Sequence, residues 1–554
     1  EKVLADVLAR YHRLKGDDVF FLTGVDQHGQ KVQQSAEKQG VAPQQFVDEV
    51  TGKFVALWDK LDVKYTGWAA TTDPLHKECV RANLQKLWDD KDPATGQSRW
   101  LYKKSQRGFY SVRQEQFLTD KERGPDGQFG PEWGAVEERD EENFYFRLTQ
   151  DPATGLPGCD PKQWLLDFID KRSADGKPFV VPDFRVAELR HAVEKLDGDL
   201  CISRPASRLK WGIPFPESFG AGFVTYVWFD ALVNYISFVP GHDPNYSGSD
   251  GKQTEFAKWW PPVHVIGKDI LIPAHGVYWP IMLKALGFTD DEMPTLLVHG
   301  WWNIAGAKMS KSLGNVIDPD VLADKYGAEA VRYYLVSDIA TGKDADFSEE
   351  RLIQRYNTDL ANSLGNLVNR TLSMTAKYLG GVLQKPGRES PLLTTFTRCF
   401  STVVSYYNHS FGDAVFKPTY QVATALALVL GNWQQDDGTE GELAKTFDGL
   451  GVAFCNRRID KVAPWKLAKD ESKRIELAEF LYALAESLRI IAILLSPVLP
   501  KAAHGIFDQL NWKMDEQGRE SRFRLADAQW GGLPDGHTLG QPTPLFPRIE
   551  MPAV

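Results

Sequence analysis

Amphipathic helical segments alternate with short apolar strands at the start of the chain, and this order restricts the fold more than any other feature. Residues 1–14 carry apolar side chains at helical spacing, and residues 19–23 follow as a short apolar strand. A turn at residues 24–29 then leads into a helix that runs to about Gly40. Helix, strand, turn and helix in this order predict an α/β domain with a parallel sheet.

Beyond residue 96 the alternation stops, and the character of the chain changes twice more. Turn-rich stretches mixed with short strands, such as residues 144–148, indicate an insertion of mixed α and β character. Apolar strands return at residues 263–266 and 295–298, with a helix over residues 277–286 between them. From Ser348 onward the sequence predicts helices almost exclusively, at residues 357–378, 418–434 and 474–499.

A chain of 554 residues is too long for one hydrophobic core, so we predict several domains. Residues 1–95 and 221–300 are expected to form the two halves of the parallel-sheet domain, interrupted by the insertion at residues 96–220. Residues 301–355 form a connecting region, and residues 356–554 an all-helical domain with a C-terminal tail. The hydrophobic fraction of 43% and the charged fraction of 25% are typical of a soluble globular protein.

The cysteine pattern argues against zinc and against disulfides. The five cysteines are far apart in sequence, and they are Cys79, Cys159, Cys201, Cys399 and Cys455. No pair has the short spacing that places two thiolates on one zinc ion. We therefore expect free thiols, no structural zinc and a reducing compartment, by default the cytoplasm, with an organelle matrix as the alternative.

The net charge does not exclude a nucleic-acid-binding protein, whereas the hydropathy argues against a membrane-spanning one. A net charge of −10 is unusual for a protein that binds nucleic acid, but one local basic surface is sufficient for that purpose. No apolar run approaches the roughly 20 residues that a membrane-spanning helix needs, so no membrane partner is expected.

Polar residues follow three of the predicted strands. Asp26 and His28 follow the first strand, Gly267, Lys268 and Asp269 the second, and Val298 and His299 end the third. Each cluster alone is also explained by helix caps or by a histidine at the domain rim. Because ligands bind at the carboxyl ends of parallel strands, we expect the three clusters to converge on one crevice.

The third cluster leads into a lysine-rich loop at residues 307–315. Its residues Lys308, Met309 and Lys311 belong to the pentapeptide KMSKS, which is identical to the second signature of class I aminoacyl-tRNA synthetases. Lysines on a loop flanked by glycine can close onto the negative charge that develops when an amino-acid carboxylate attacks the α-phosphate of ATP. Isolated lysines in such a loop would otherwise be solvated.

Four segments resemble the methionyl-tRNA synthetase family. They read FLTGVDQHG at residues 21–29, YVWFDALVNY at 226–235, HVIGKDI at 264–270 and GAKMSKS at 306–312, and the similarity continues to LGQPTPLFPRIE at 539–550. The resemblance implies a Rossmann-like catalytic domain with a connective-peptide insertion, a KMSKS and stem-contact region, and an all-α anticodon-binding bundle. It also implies activation of methionine by ATP with Mg²⁺, followed by transfer to tRNA(Met).

The resemblance assigns roles to individual residues. Asp26 would hold the α-ammonium group of methionine, and Arg204, Lys308 and Lys311 would act on the reacting groups. The side-chain pocket would be lined by Trp228, Ala231, Leu232, Tyr235, Ile270 and His275, with Leu232 where many relatives carry proline. ATP would contact Gly267, Lys268, Asp269, Val298, His299, Lys308, Met309 and Lys311. Aromatic walls suit a thioether, which is apolar and polarizable, although Trp228 and Tyr235 could also be core aromatics.

In the helical region, the resemblance assigns anticodon binding to Asn366, Arg370 and Trp465. Asn366 and Arg370 are four residues apart and share one helix face. Aromatic, amide and guanidinium groups are the types that read single-stranded bases. The alternative is that Trp465 packs between helices and Arg370 is merely solvated.

The sequence departs from the family in two ways. It lacks zinc knuckles, which indicates the zinc-free subgroup, and it lacks the His-Ile-Gly-His signature. We expect that this signature lies upstream in a longer protein, that the chain is inactive without it, and that the protein is a monomer unless a C-terminal appendage is missing. One alternative is an inactive tRNA-binding or regulatory protein. The other is a synthetase for isoleucine, leucine or valine, for which the insertion is short to contain an editing domain.

Overall fold

The structure is a computed structural model of the chain, from Glu1 to Val554. It describes residues 1–111, 116–118, 120–150, 160–243, 254–309, 315–338, 342–387, 390–412, 421–431, 447–512 and 523–550. Lys311 and Cys159 lie outside these described residues.

The first part of the chain alternates helices and short strands, as the sequence predicts. Its elements are α1 (Lys2–Lys15), β1 (Leu22–Val25), α2 (Gln30–Gln39), α3 (Pro43–Lys60), β2 (Gly67–Ala70) and α4 (Pro74–Asp89). Strands β1 and β2 pair in parallel, with Leu22 opposite Gly67. Strand β1 begins three residues later than the sequence predicts, because the Phe21 amide donates to the Thr66 hydroxyl at 2.7 Å.

The insertion is built on a long antiparallel hairpin. Its elements are β3 (Leu101–Ser111), β4 (Gln116–Leu118), β5 (Val136–Phe146), α5 (Pro161–Ala174), β6 (Val180–Val181), α6 (Phe184–Glu194), β7 (Leu200–Cys201), β8 (Ser203–Pro205) and β9 (Phe223–Thr225). Strand β5 is much longer than the predicted strand at residues 144–148. Half of β5 consists of charged residues, so the hydropathy of the sequence does not indicate a strand there. Cross-strand ion pairs such as that of Arg107 with Glu138 stabilise this half.

The parallel sheet resumes after the insertion. Its elements are α7 (Val227–Ser237), α8 (Thr254–Trp259), β10 (Val263–Gly267), a π-helical segment (Leu271–Tyr278), α9 (Trp279–Ala285), β11 (Thr295–His299), β12 (Trp302–Ile304) and β13 (Ala307–Lys308). Strand β11 lies between β10 and β6 and pairs in parallel with both. The predicted helix over residues 277–286 is therefore α9 together with the end of the π-helical segment.

The rest of the described chain is mainly helical, with one short strand and an irregular C-terminal tail at residues 529–550. Its elements are α10 (Pro319–Tyr326), α11 (Ala328–Ser337), β14 (Ala345–Asp346), α12 (Glu349–Arg355), a π-helical segment (Tyr356–Gly365), α13 (Asn366–Leu379), α14 (Pro391–Gly412), α15 (Gln421–Leu430), α16 (Gly451–Val462), α17 (Pro464–Leu467), α18 (Arg474–Leu495) and α19 (Pro500–Gln509). Helix α18 ends at Leu495, before the predicted residue 499, because Pro497 has no backbone N–H with which to continue the helical hydrogen bonds. The fold class is thus confirmed as an α/β domain with a mixed insertion, followed by a helical bundle.

Two large apolar cores stabilise the molecule. One fills the space between the insertion and the strands β10 and β11, and the other joins α1 and α11 to the helical bundle. Helix α18 is almost completely enclosed by the second core, so its apolar residues surround the helix instead of forming a stripe.

A buried arginine connects the α/β domain with the bundle. The side chain of Arg332, on α11, is inaccessible to solvent and forms an ion pair with Asp6 of α1 at 2.7 Å. Its guanidinium also donates to the backbone carbonyls of Leu61 at 3.0 Å, Pro497 at 3.0 Å and Val498 at 2.9 Å. The charge is therefore fully paired, as burial requires.

Cys79, Cys201, Cys399 and Cys455 are free thiols, as predicted for them. Within the described parts of the chain, no helix has the length and apolar character needed to cross a membrane.

Candidate active site

The second and third polar clusters lie side by side. Strands β10 and β11 pair in parallel up to Gly267 and His299, which are opposite each other at the carboxyl ends. A side chain at Gly267 would come within 2.6 Å of the Asp269 carboxylate and 3.6 Å of the His299 ring. A Cβ atom at Gly267 would therefore displace the exposed Asp269 side chain, although the extended backbone at this position admits any residue.

The first cluster supplies a carboxylate whose charge is unfavourable in the free protein. Solvent reaches the Asp26 side chain, but the surrounding protein still withdraws the carboxyl group from bulk water. This desolvation, together with the nearby charge of Asp230, raises the pKa of Asp26 to about 8, against a smaller opposing effect of the His28 amide. A bound cation would remove the disadvantage.

Asp230 itself is buried between two histidines. One of its carboxylate oxygens lies 2.7 Å from Nδ1 of His28, and the other lies 2.8 Å from Nε2 of His76. Burial alone would raise the pKa of Asp230, but the two histidine contacts outweigh it and lower the pKa. Asp230 is therefore a buried negative charge beneath Asp26.

One face of α7 presents predicted pocket residues. Trp228, Ala231 and Tyr235 are spaced three and four residues apart and are all partly exposed. Leu232 differs from them, because its side chain is 1% exposed and packs in the core of the α/β domain.

Tyr235 contacts His275, which lies in the π-helical segment. Nδ1 of His275 is 2.9 Å from the carbonyl oxygen of Ile270, so Nδ1 carries the proton of the neutral ring. Nε2 must then accept, and the Tyr235 hydroxyl donates to it at 2.7 Å. Burial lowers the pKa of His275 and keeps the ring neutral. The contact fixes one wall of the site, and the Ile270 side chain is half-buried beside it.

His299 and Val298 differ in their surroundings. Val298 is completely buried, so only its backbone can face a ligand. His299 donates from Nδ1 to the carbonyl of Gly300 at 2.8 Å, and its Nε2 lies 3.8 Å from the Glu1 carboxylate.

The lysine-rich loop begins in a tight hairpin. Ala305 and Gly306 both have positive φ angles, 50° and 75°, as a two-residue turn between β12 and β13 requires. The hairpin leaves Lys308 exposed, with Nζ 3.9 Å from the ring centre of Trp301. Met309 is half-buried.

Lys268 approaches the same ring from the turn after β10. Its Nζ lies 4.0 Å from the Trp301 ring centre and forms an ion pair with Asp344. Asp269, next to Lys268, is exposed. Two lysines from separate predicted clusters are thus brought together by one aromatic side chain.

Arg204 lies on β8 and is 5% exposed. Its guanidinium stacks over the ring of Tyr226 at 3.9 Å and donates to the Ser203 carbonyl at 2.8 Å and to Sγ of Cys201 at 3.2 Å. Tyr226 immediately precedes α7, so Arg204 is attached to the element that carries Trp228.

The predicted anticodon residues lie on neighbouring helices. Asn366 is exposed at the start of α13, and Arg370 on the same helix donates to Asp460 of α16 at 2.8 Å. Trp465 follows on α17 with 42% of its surface exposed, so it does not pack between helices.

Sequence reasoning missed Asp230, His76, Trp301 and Asp344. The pair of Asp230 and His76 is separated by 154 positions, and no local pattern connects them. Trp301 is one of two adjacent tryptophans before the lysine-rich loop, and nothing in the sequence indicates which of the two contacts the lysines. Among the residues that the structure describes, no group of three or more histidine, cysteine, aspartate or glutamate side chains could hold a metal ion.

Comparison with known proteins identifies the family. The family described as "tRNA synthetases class I (M)" matches residues 1–128 and 134–372. The methionine–tRNA ligase of Thermosynechococcus vestitus is 35% identical over 559 residues, which cover 100% of this chain and 94% of the relative. That of Nostoc sp. is 36% identical over 554 residues, with 99% and 93% covered.

A solved structure of similar fold supports the same conclusion. The Mycobacterium tuberculosis methionyl-tRNA synthetase bound by methionyl-adenylate has a TM-score of 0.78 and 30% identity, with 99% of this chain and 95% of that chain covered. Its apo form gives a TM-score of 0.74 at 27% identity, with 99% and 94% covered. The strand-end site and the matches over almost the whole chain lead to one conclusion: this chain belongs to the class I tRNA synthetases of group M, the family of the methionine–tRNA ligases.

Proposed function

We propose that this protein activates methionine with ATP to methionyl-adenylate and transfers the methionyl group to tRNA(Met). The observation that carries the proposal is Asp26, a carboxylate with a raised pKa beside the apolar face of α7. An α-amino acid with an apolar side chain offers this site both a cation and a hydrophobic group. Two relatives that match over nearly their full length are named methionine–tRNA ligases.

In the proposed complex the methionine ammonium lies against Asp26. Its side chain extends along Trp228, Ala231 and Tyr235 towards Ile270 and His275. The Tyr235 hydroxyl already donates to His275, so it presents only acceptor lone pairs and ring surface to the ligand. Dispersion contacts between the aromatic rings and the polarizable sulfur would then dominate recognition.

The strand ends of β10 and β11 would receive ATP, which brings Mg²⁺ with it as part of the substrate. The backbone groups of Gly267 and Val298 would contact the adenosine, and the side chains of Asp269 and His299 lie beside them. The methionine carboxylate attacks the α-phosphorus, a new P–O bond forms, and pyrophosphate leaves. Lys268 and Lys308 would neutralise the charge on the phosphates, together with Lys311 and Arg204 nearer the reacting atoms.

In the second step a terminal ribose hydroxyl of the tRNA attacks the activated carbonyl, and AMP leaves. We propose that Trp465 stacks on an unpaired anticodon base while Asn366 and Arg370 contact base edges or phosphates. The exposure of Trp465 and the position of Arg370 beside α16 support this assignment. We further propose that the enzyme is monomeric, holds no structural zinc and belongs to the cytoplasm. The free thiols and the scattered cysteines support the last two points.

Methionine-dependent exchange of pyrophosphate into ATP tests the first step, and charging of tRNA(Met) tests the second. We expect methionine to support exchange, and isoleucine, leucine and valine to support little. Asp26→Asn is the matched variant, because it keeps the shape of the side chain and removes the charge. Binding of tRNA without exchange, also in a form extended upstream, would contradict the proposal and favour a regulatory protein.

A further inference from the structure

Trp301 is an aromatic residue in direct contact with both proposed phosphate-binding lysines. Lys268 comes from the turn after β10, and Lys308 comes from the hairpin after β12. Their ammonium nitrogens lie 4.0 and 3.9 Å from the centre of the indole ring. Cations are attracted to the face of an aromatic ring at this distance, and tryptophan provides the strongest such attraction.

The arrangement brings two positive charges near each other. Because both distances share the same ring centre, the two nitrogens are at most about 8 Å apart. Two such charges repel each other at the surface of a protein. The indole ring and the carboxylate of Asp344, which pairs with Lys268, offset that repulsion.

The backbone that carries Trp301 is firmly held. The Trp301 amide donates to Asp344 at 2.9 Å, and its carbonyl accepts from Ala345 at 3.0 Å. The preceding residue, Gly300, packs so closely that a Cβ atom there would lie 2.0 Å from the carbonyl oxygen of Lys343. The backbone of Trp301 is therefore anchored, whereas each lysine ammonium group is at the end of a flexible four-carbon side chain.

We propose that Trp301 is a positioning residue, whose indole ring gathers the ammonium groups of Lys268 and Lys308 into one site for the polyphosphate of ATP before the nucleotide binds. This inference rests on the proposed function. The preformed pair reduces the side-chain ordering that ATP binding would otherwise require. When the triphosphate binds, the two ammonium groups contact phosphate oxygens while they remain over the ring, without any covalent change at Trp301.

Comparison of Trp301→Phe with Trp301→Leu distinguishes the effect of an aromatic ring from the effect of side-chain volume. In the described part of the chain, Nε1 of Trp301 has no hydrogen-bond partner, so phenylalanine removes no hydrogen bond and keeps an aromatic face. We expect Trp301→Leu to raise the KM for ATP in the exchange assay about 5- to 30-fold, as two lost cation–π contacts at an accessible site imply. Trp301→Phe should stay within about threefold of the unchanged protein.

The KM for methionine should change little in either variant, because no described contact joins Trp301 to α7. Lys343→Ala is the control for loss of a neighbouring exposed lysine, and it should leave the KM for ATP within about twofold. In a Lys308→Ala background the effect of Trp301→Leu should shrink, since the ring acts partly through that lysine. If Trp301→Leu does not fold, Trp301→Met makes the same test.

Two outcomes would overturn the inference while leaving the proposed function intact. One is an unchanged KM for ATP in Trp301→Leu, and the other is an equal loss in Trp301→Leu and Trp301→Phe. Absence of methionine-dependent exchange both in the unchanged chain and in a form extended upstream would instead refute the proposed function itself.

Discussion

Methionine binding should weaken as the pH falls from 8 to 6. The pKa of Asp26 is raised to about 8 by desolvation and by Asp230, so the carboxyl group becomes protonated below that pH. Only the ionised form attracts an ammonium group. Affinity is therefore fully present above the raised pKa and is lost as the pH decreases through it.

The magnitude follows from the ionised fraction. A carboxyl group with a pKa of about 8 is half ionised at pH 8 and about 1% ionised at pH 6, a ratio of about 50. Because solvent reaches Asp26 and screens its environment, this ratio is an upper limit. A pKa one unit lower gives about tenfold. We therefore expect the dissociation constant for methionine to increase about 10- to 50-fold.

Isothermal titration of methionine into the protein at pH 6, 7 and 8 measures this change. Titration in two buffers of different ionisation enthalpy detects the proton that Asp26 releases on binding. Asp26→Asn should bind weakly at every pH. It is the control for any pH dependence of binding that does not come from Asp26. A dissociation constant that is independent of pH, without proton release, would refute the reasoning, and so would an unchanged pH dependence in Asp26→Asn.

Three further changes test other parts of the molecule. Lys308→Ala should slow adenylate formation about 100-fold or more while methionine affinity changes less than twofold, as measured by single-turnover kinetics and calorimetry. Trp465→Ala should raise the KM for tRNA about 5- to 100-fold without affecting pyrophosphate exchange, and loss of both would indicate a structural role. Arg332→Met should lower the free energy of unfolding by about 3–5 kcal/mol in urea, because buried Asp6 and three carbonyls lose a partner. As a control, Arg474→Met removes an ion pair that is exposed on both sides, and it should cost less than about 1 kcal/mol; equal effects would contradict the argument.

The strand ends of the site were predictable because their signals are local. An apolar strand followed by polar residues is visible within about ten positions, as at Asp26 and Gly267, and parallel pairing brings such ends together. The contact between Tyr235 and His275 is different. The two residues are 40 positions apart, and only resemblance to a family indicated that both line one pocket.

The long hairpin and the helix boundaries show where hydropathy fails. Residues 137–142 are mostly charged, so the sequence gives no strand signal there, yet the structure pairs every residue of β5 with β3. The stabilising terms are backbone hydrogen bonds and cross-strand ion pairs, which depend on the register between strands. Register is a property of two distant segments, and one segment alone does not contain it.

Local and distant information also differ for Asp26: its position can be predicted from the sequence, but its protonation state cannot. Asp26 is visible in the sequence, but its charge state depends on Asp230, which lies 204 positions later, and on the histidines that keep Asp230 ionised. If Asp230 were protonated, the smaller of the two causes that raise the pKa of Asp26 would disappear, and only desolvation would still raise that pKa. A buried charge at Asp230, in the segment 226–235 but without a role assigned from the sequence, therefore increases the site's need for a cation. Substitution of Asp230 should alter the pH dependence of methionine binding even though Asp230 does not itself need to touch the ligand.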